Sequence, residues 1–316
     1  MMHRRMQWLF ATLLGVLILV PSVATADLKV VTTVGDLGAM AQQVVGEHGE
    51  VETLVRPAED PHFVDPRPSY ARHLNQADMV VYVGLELEVG WLPTLIDQAR
   101  NSDIQSGRTG HMDASQYIQA QEVPAGEIDR SMGDVHPGGN PHYNMDPRQM
   151  ARVAMAFGDR LGELRPALAD EFEERSREFA RDAIRFAQQW EEKFAQLPSE
   201  ARQLIGYHNA WAYVGDWLGV QTPIKLEPKP GVPPNPRHVR QVMDVIDSRD
   251  VGVIAQLEYY STDTADTIAN RADRDVQVVS VPAQARDGEE YLEQMENLIR
   301  PVYEAMKRAH NVDLDG

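Results

Sequence analysis

Three histidines sit in short constellations of proline, acid or amide, and aromatic residues: Asp60-Pro61-His62, Asn140-Pro141-His142-Tyr143-Asn144-Met145-Asp146-Pro147, and Gly206-Tyr207-His208-Asn209-Ala210-Trp211. Neutral imidazole is the commonest side-chain metal ligand. Three from well-separated segments suit a site inside a folded cleft, where a zinc finger would use a local cluster. His62 and His142 each follow a proline, which removes a backbone donor and restricts the preceding residue, so these rings sit on stiffened loops. The chemistry on offer is cation capture. The remaining histidines have blander surroundings: His73 lies in a helix-like stretch, His48 and His310 in polar segments, and His238 in a proline-rich loop. These four are read as solvated or structural, and His111 and His136 as solvated loop residues with weak metal binding as the alternative.

Three imidazoles with at most one carboxylate suit zinc in a tetrahedron, whereas manganese wants a larger share of carboxylate and water oxygens. Zn2+ is therefore expected ahead of Mn2+ or Fe2+. The fourth position stays open between Glu258, Asp287 and a water, with Glu258 the best-placed carboxylate.

The elements that must position these residues alternate along the chain. Residues 28–33, 51–55 and 79–83 read as strands in the first half, and 204–207, 251–257 and 276–281 in the second, separated by helix-permissive stretches. This predicts an α/β fold of two (β/α) domains with mainly parallel sheets. His62 follows the strand at 51–55, His208 ends that at 204–207 and Glu258 follows that at 251–257. Ligands of open α/β sheets gather at such carboxyl ends. His142 comes from beyond residues 101–139, which lack sustained periodicity and are read as a mobile surface loop. Beside it, Asn140, Asn144 and Asp146 can supply the outer hydrogen bonds that orient an imidazole. Between the halves, residues 167–197 hold no proline or glycine and carry one stripe of Phe172, Phe179, Ala183, Phe186, Trp190, Phe194 and Leu197. The helix implied is about 45 Å long, enough to run along both domains. Its aromatic, uneven stripe does not suit a coiled-coil seam, so a monomer is expected.

The start of the chain bears on compartment. Arg4 and Arg5, an apolar run at 8–20 and Ala24-Thr25-Ala26 predict a signal peptide at 1–26, cleaved before Asp27. The run is shorter than the ~20 residues a spanning helix needs. The chain has no cysteine, hence neither disulfides nor a site for a lipid anchor, and a soluble periplasmic protein is expected. Its 316 residues allow an N-terminal domain at 27–165 containing the loop 101–139, a linking helix at 166–198 and a C-terminal domain at 199–316. A net charge of −18 disfavours nucleic acid and anionic membranes as partners and draws in cations. No His-Glu-x-x-His helix offers a general base beside the histidines, so no catalysis is expected; a periplasmic zinc hydrolase is the alternative.

The same segments resemble a known family, the cluster A-I periplasmic substrate-binding proteins of zinc and manganese ABC transporters, in particular the high-affinity zinc-binding type. The resemblance lies in Asp60-Pro61-His62 with Pro68-Ser69, Ala77-Asp78, Val83-Gly84-Leu85-Glu86-Leu87-Glu88 with Trp91-Leu92, and Asn140-Pro141-His142 with Asp146-Pro147. It continues in Tyr207-His208-Asn209-Ala210-Trp211-Ala212-Tyr213, in Glu227-Pro228-Lys229-Pro230-Gly231 with Pro233 and Pro236, and in Leu257-Glu258 before Ala265. It implies two (β/α) domains joined by one long rigid helix, a metal in the cleft between them, and ligands at His62, His142 and His208. It also implies as partners a membrane permease with its ATPase, and a periplasmic metallochaperone. Manganese or iron receptors and adhesins share the scaffold; the members choosing manganese or iron commonly carry a carboxylate where this chain has His208. Two departures stand out. Where the family often has a metal-binding aspartate this chain reads Val281-Pro282-Ala283-Gln284-Ala285-Arg286, and the loop before His142 is short of histidine.

Overall fold

The computed structural model describes residues 27–126, 133 and 135–313; the expected signal peptide lies outside them. Val-rich runs build two separate parallel sheets. In the first, β1 (Leu28–Thr32) is central, with β2 (Gly49–Thr53) on one side and β3 (Met79–Tyr82) then β4 (His111–Asp113) on the other. Its register sets Val30 beside both Val51 and Met79, and Val80 beside His111. The second sheet runs β5 (Ile205–Gly206), β6 (Val253–Leu257), β7 (Gln277–Val281), with Ile254 between Ile205 and Val278. Every pairing in both sheets is parallel, so the strands share one direction within each sheet and their carboxyl ends open together. That is the α/β architecture the alternation predicts.

β4 is the departure. It lies inside residues 101–139, read from sequence as a mobile loop, yet Asn101 is buried and donates to the carbonyls of Leu74 and Ala77 at 2.9 and 2.7 Å. His111 is tied to Tyr82 Oη at 3.0 Å and to the Ile104 carbonyl at 2.8 Å. A three-residue strand carries too little alternation to announce itself. Residues 127–132 and 134 of that stretch lie outside the described ones.

Helices cover the sheets. α1 (Gly35–Val45), α2 (Pro68–Gln76) and α3 (Leu92–Ala99) flank the first; α4 (Pro147–Leu164) and α5 (Ala169–Ala195) pack lengthwise together; α6 (Ala212–Leu218), α7 (Pro236–Arg249), α8 (Asp263–Ala269) and α9 (Tyr291–Ala309) belong to the second. Pro166 opens a 3-10 turn, Pro166–Leu168, before α5, and Pro198 follows it. α5 is thus the long helix predicted at 167–197, about 40 Å at 1.5 Å per residue.

The stripe on α5 does the joining. Phe172, Phe179, Ala183, Trp190 and Phe194 are buried in one continuous core that runs from α1 and β1 through α4 and α5 to β6, β7 and α9. Phe179 meets Tyr291 at 5.6 Å between ring centroids, and Trp190 and Phe194 meet Tyr303 at 5.7 and 5.2 Å. Trp190 Nε1 donates to Glu296 at 2.9 Å, and Trp217 Nε1 donates to the Ala187 carbonyl at 3.1 Å. Smaller clusters fill the outer face of each sheet. Two β/α units sharing one core through a stiff helix restrain relative motion. Among the described residues no helix is long and apolar enough to cross a membrane.

Replacing Trp190 by alanine removes the largest fully buried side chain of this seam and is expected to lower the unfolding free energy by about 3–5 kcal/mol. Ile184→Ala, on the outward side of the same helix and 38% exposed, should change it by about 0.5 kcal/mol. Denaturant titration of both variants checks this; equal losses would deny the aromatic stripe its joining role.

Candidate metal centre

Each of the three histidines is held by its own neighbourhood. In Asp60-Pro61-His62, on the loop after β2, Asp60 Oδ1 accepts from the backbone N of His62 at 3.0 Å and pairs with its Nδ1 at 2.7 Å. Trp91 Nε1 pins the loop through the Pro61 carbonyl at 3.0 Å. Asn140-Pro141-His142 repeats the device: Asn140 Oδ1 accepts from the His142 backbone N at 3.0 Å and pairs with Nδ1 at 2.9 Å. The Asn140 amide has one orientation open to it, because its Nδ2 donates to Glu122 Oε2 at 2.8 Å and to the Asn209 carbonyl at 2.7 Å. His208 follows β5 directly, and its Nδ1 meets the buried carboxylate of Glu227 at 2.7 Å. In all three cases the Nδ1 partner is an acceptor oxygen. The ring proton therefore sits on Nδ1 and the lone pair on Nε2.

Those lone pairs converge. Ring centroids of His62, His142 and His208 lie 5.2–5.4 Å apart pairwise, and one nitrogen from each falls within 4.8 Å of the other two. Nε2 of His62 and of His142 is buried with no hydrogen-bond partner. Burial disfavours a charged His142, and positive charge on His208, His62 or His136 would add to the cost, so its pKa is held well below the usual imidazole range. Burial pushes the Asp60 carboxyl up, but the hydrogen bond and charge of His62 outweigh it and leave Asp60 below its ordinary range. His142 is thereby favoured neutral, beside an Asp60 carboxyl favoured ionised. Orphaned acceptors of this kind are costly without a partner. A cation is the partner that three converging lone pairs share: in tetrahedral coordination with Zn–N of about 2.0–2.1 Å the nitrogens stand roughly 3.4 Å apart, which modest ring rotation reaches from the present spacing.

The other residues picked out in the sequence fall elsewhere. Glu258 lies just past β6, as its strand implies, but outside the three-histidine group, and its Oε2 is bound by Arg286 at 2.9 Å. Asp287 lines a separate cavity between α1 and residues 285–290. Of the proposed outer partners, Asn140 acts on His142, whereas Asp146 caps α4 by accepting from Arg148 N at 2.8 Å and Asn144 Nδ2 donates to Asp36 at 2.5 Å. Asp60 and Glu227 are the orienting residues that sequence reasoning did not single out. An acid or amide two residues before histidine across a proline was the available signal for Asp60; nothing local marks Glu227, which lies 19 residues from its histidine. His136 is not a solvated bystander either: its ring lies 5.3 Å from that of His62.

The departing segment 281–286 has a structural use. Gln284 Oε1 accepts from Gly35 N at 2.6 Å and its Nε2 donates to the Arg56 carbonyl at 2.8 Å, while Ala285 N donates to Asp36 at 2.8 Å. These bonds cross from the second sheet's side to the first. Gly35 is required there, since a Cβ would sit 2.0 Å from the Ala285 carbonyl oxygen.

A family model described as the periplasmic component A of zinc-uptake complexes matches residues 30–305. The manganese-binding lipoprotein MntA of Halalkalibacterium halodurans is 25% identical over 227 residues, 72% of this chain and 70% of that protein. The high-affinity zinc uptake system protein ZnuA of Yersinia pestis is 25% identical over 273 residues, 82% of this chain and 85% of that protein. A crystal structure of ZnuA shares the fold at a TM-score of 0.74 and 21% identity, over 89% of this chain and 99% of that one.

Burial outweighs the hydrogen bonds from Asn144 and Ala285 and pushes the Asp36 carboxyl up to about 7. An acid whose pKa is raised by folding contributes stability that is full below its unfolded pKa, about 3.9, and is lost as pH climbs through the folded value. Asn can take the same place if the Asn144 amide turns over. On going from pH 4.5 to pH 8, the wild type is therefore expected to lose about 3 kcal/mol relative to Asp36→Asn. Metal-free unfolding curves of both proteins at the two pH values check this, and a constant difference between them would overturn it.

Proposed function

Because the chain belongs to the family of the periplasmic component A of zinc-uptake complexes, the cluster A-I metal-binding receptors of ABC transporters, we propose that it captures Zn2+ with His62, His142 and His208 and hands it to a membrane permease. The family consists of solute-binding receptors, not enzymes, and implies a permease and its ATPase as partners. The observation that carries the choice of zinc is the donor set: three converging imidazoles, each with an oxygen at Nδ1 that leaves the Nε2 lone pair free for an ion. Imidazole nitrogen suits zinc, while manganese prefers carboxylate and water oxygens. The family description and the Yersinia pestis relative support the same metal. The manganese-binding relative sets the competing reading. On our reading residues 27–165 form one lobe, 199–316 the other and 166–198 the link, with release of a signal peptide placing the mature chain in the periplasm.

Zinc held this way is cargo, so the site must bind tightly yet without covalent commitment. The residues around it orient and neutralise: Asp60 and Glu227 offset the charge of the captured ion through the rings they hold.

Elemental analysis of protein purified without added metal, followed by competition of Zn2+ against Mn2+, tests the choice of metal; preferential loading of manganese would overturn it. His208→Ala is expected to abolish tight binding, and Glu227→Gln to weaken it by about 10–100-fold, measured by chelator competition. Full affinity in both variants would remove these residues from the site.

Zinc in thousandfold excess over Kd should stabilise the protein by about 4 kcal/mol. That gain should shrink below about pH 6, as protons compete for the imidazoles. Thermal scans at pH 7.5 and 5.5 read it out, and an equal shift at both would argue against histidine ligation.

A further inference from the structure

Three imidazoles leave one corner of a tetrahedron open. Glu258 Oε2 is engaged by Arg286 while its Oε1 is buried without a hydrogen-bond partner, and Asp287 lines another cavity. The open side of the histidine cluster faces a cavity of about 260 Å3 whose lining includes His142, His208, Asn140, Glu122 and His136. Glu122 is a strut there: its Oε2 accepts from Asn140 at 2.8 Å and from Asn209 at 2.5 Å. His136 is the further cavity-lining side chain with an imidazole nitrogen to offer a cation, and its ring already stands 5.3 Å from His62, the spacing the three site rings keep among themselves.

Its backbone is built to stay there. His136 begins a turn in which Gly139 N donates to the His136 carbonyl at 3.2 Å, and Gly139 takes φ +114°, a conformation few residues other than glycine adopt. Asn140 N is then tied to the Gln121 carbonyl at 2.8 Å, so the turn is anchored at the residue that orients His142. Rotation about the His136 side chain is the adjustment left to bring a nitrogen to the ion.

Resting on the three-histidine reading above, we infer that His136 is the fourth ligand of the captured cation, completing an all-nitrogen tetrahedron. Such a set favours Zn2+ over Mn2+ more strongly than three histidines and a carboxylate would. It also gives the chain a substitute for the aspartate missing from residues 281–286.

The test uses metal-stripped mature protein with Zn2+ and Co2+ as probes, in the wild type and in His136→Ala, His136→Gln, Glu258→Ala and His142→Ala. Both His136 variants should retain the metal-free thermal midpoint. They should lose zinc affinity by at least the roughly 10–100-fold that removal of an orienting partner costs. Their Co2+ d–d absorption should shift as an oxygen donor replaces nitrogen, while Glu258→Ala matches the wild type in both readouts. If His142→Ala abolishes binding while the His136 variants keep wild-type affinity and spectrum, the fourth-ligand assignment is overturned and the three-histidine site stands. If His142→Ala binds like the wild type, the three-histidine reading itself fails and takes this one with it.

Discussion

The hydrogen bond at Nδ1 is the interaction on which the rest depends. An imidazole has two nitrogens, and a buried one can present a lone pair in a chosen direction only if the other nitrogen has somewhere to place its proton. Asp60, Asn140 and Glu227 supply that place at 2.7, 2.9 and 2.7 Å. Two of the three do so within a single local motif, an acid or amide, a proline and the histidine, where one side-chain oxygen takes both the backbone N–H and the ring N–H. Proline suits its middle because that residue's own N–H has no role in the motif, and its fixed φ removes a degree of freedom that would otherwise loosen the ring.

The rest of the architecture serves to bring these pre-aimed rings together and keep them dry. Parallel strands place His62 and His208 beyond carboxyl ends of two different sheets. The aromatic seam of α5 makes those sheets parts of one core. Asp36, Gln284 and Ala285 stitch the two sides directly. The stitching has an energetic cost: a carboxyl buried as deeply as Asp36 is pushed up to about 7, so charging it works against the fold. Burial acts in the opposite sense on His142, keeping it neutral and ready for a cation. The same desolvation thus opposes stability at one group and prepares binding at another.

Much of this was legible in the residues. The six strands anticipated at 28–33, 51–55, 79–83, 204–207, 251–257 and 276–281 all exist, with ends moved by a residue or two. Apolar runs between turn signals are strong local evidence. The long helix was bounded by Pro166 and Pro198 and its buried stripe was readable by spacing, because helix periodicity is also local. β4 was not legible, since three residues paired at a sheet edge owe their extended form to β3.

What the sequence determined by itself is everything that depends on neighbours along the chain: the α/β alternation, the stiff helix, the histidines at strand ends, and, in Asp-Pro-His and Asn-Pro-His, two of the three orienting bonds in latent form. Only the tertiary structure decided which nitrogens face one another, that Glu227 orients His208 from 19 residues away, that Arg286 binds one oxygen of Glu258, and that His136 stands beside His62. Those are contacts between segments far apart in sequence, and their geometry is set by how two sheets dock across a shared helix. Residue spacing along the chain carries no record of it.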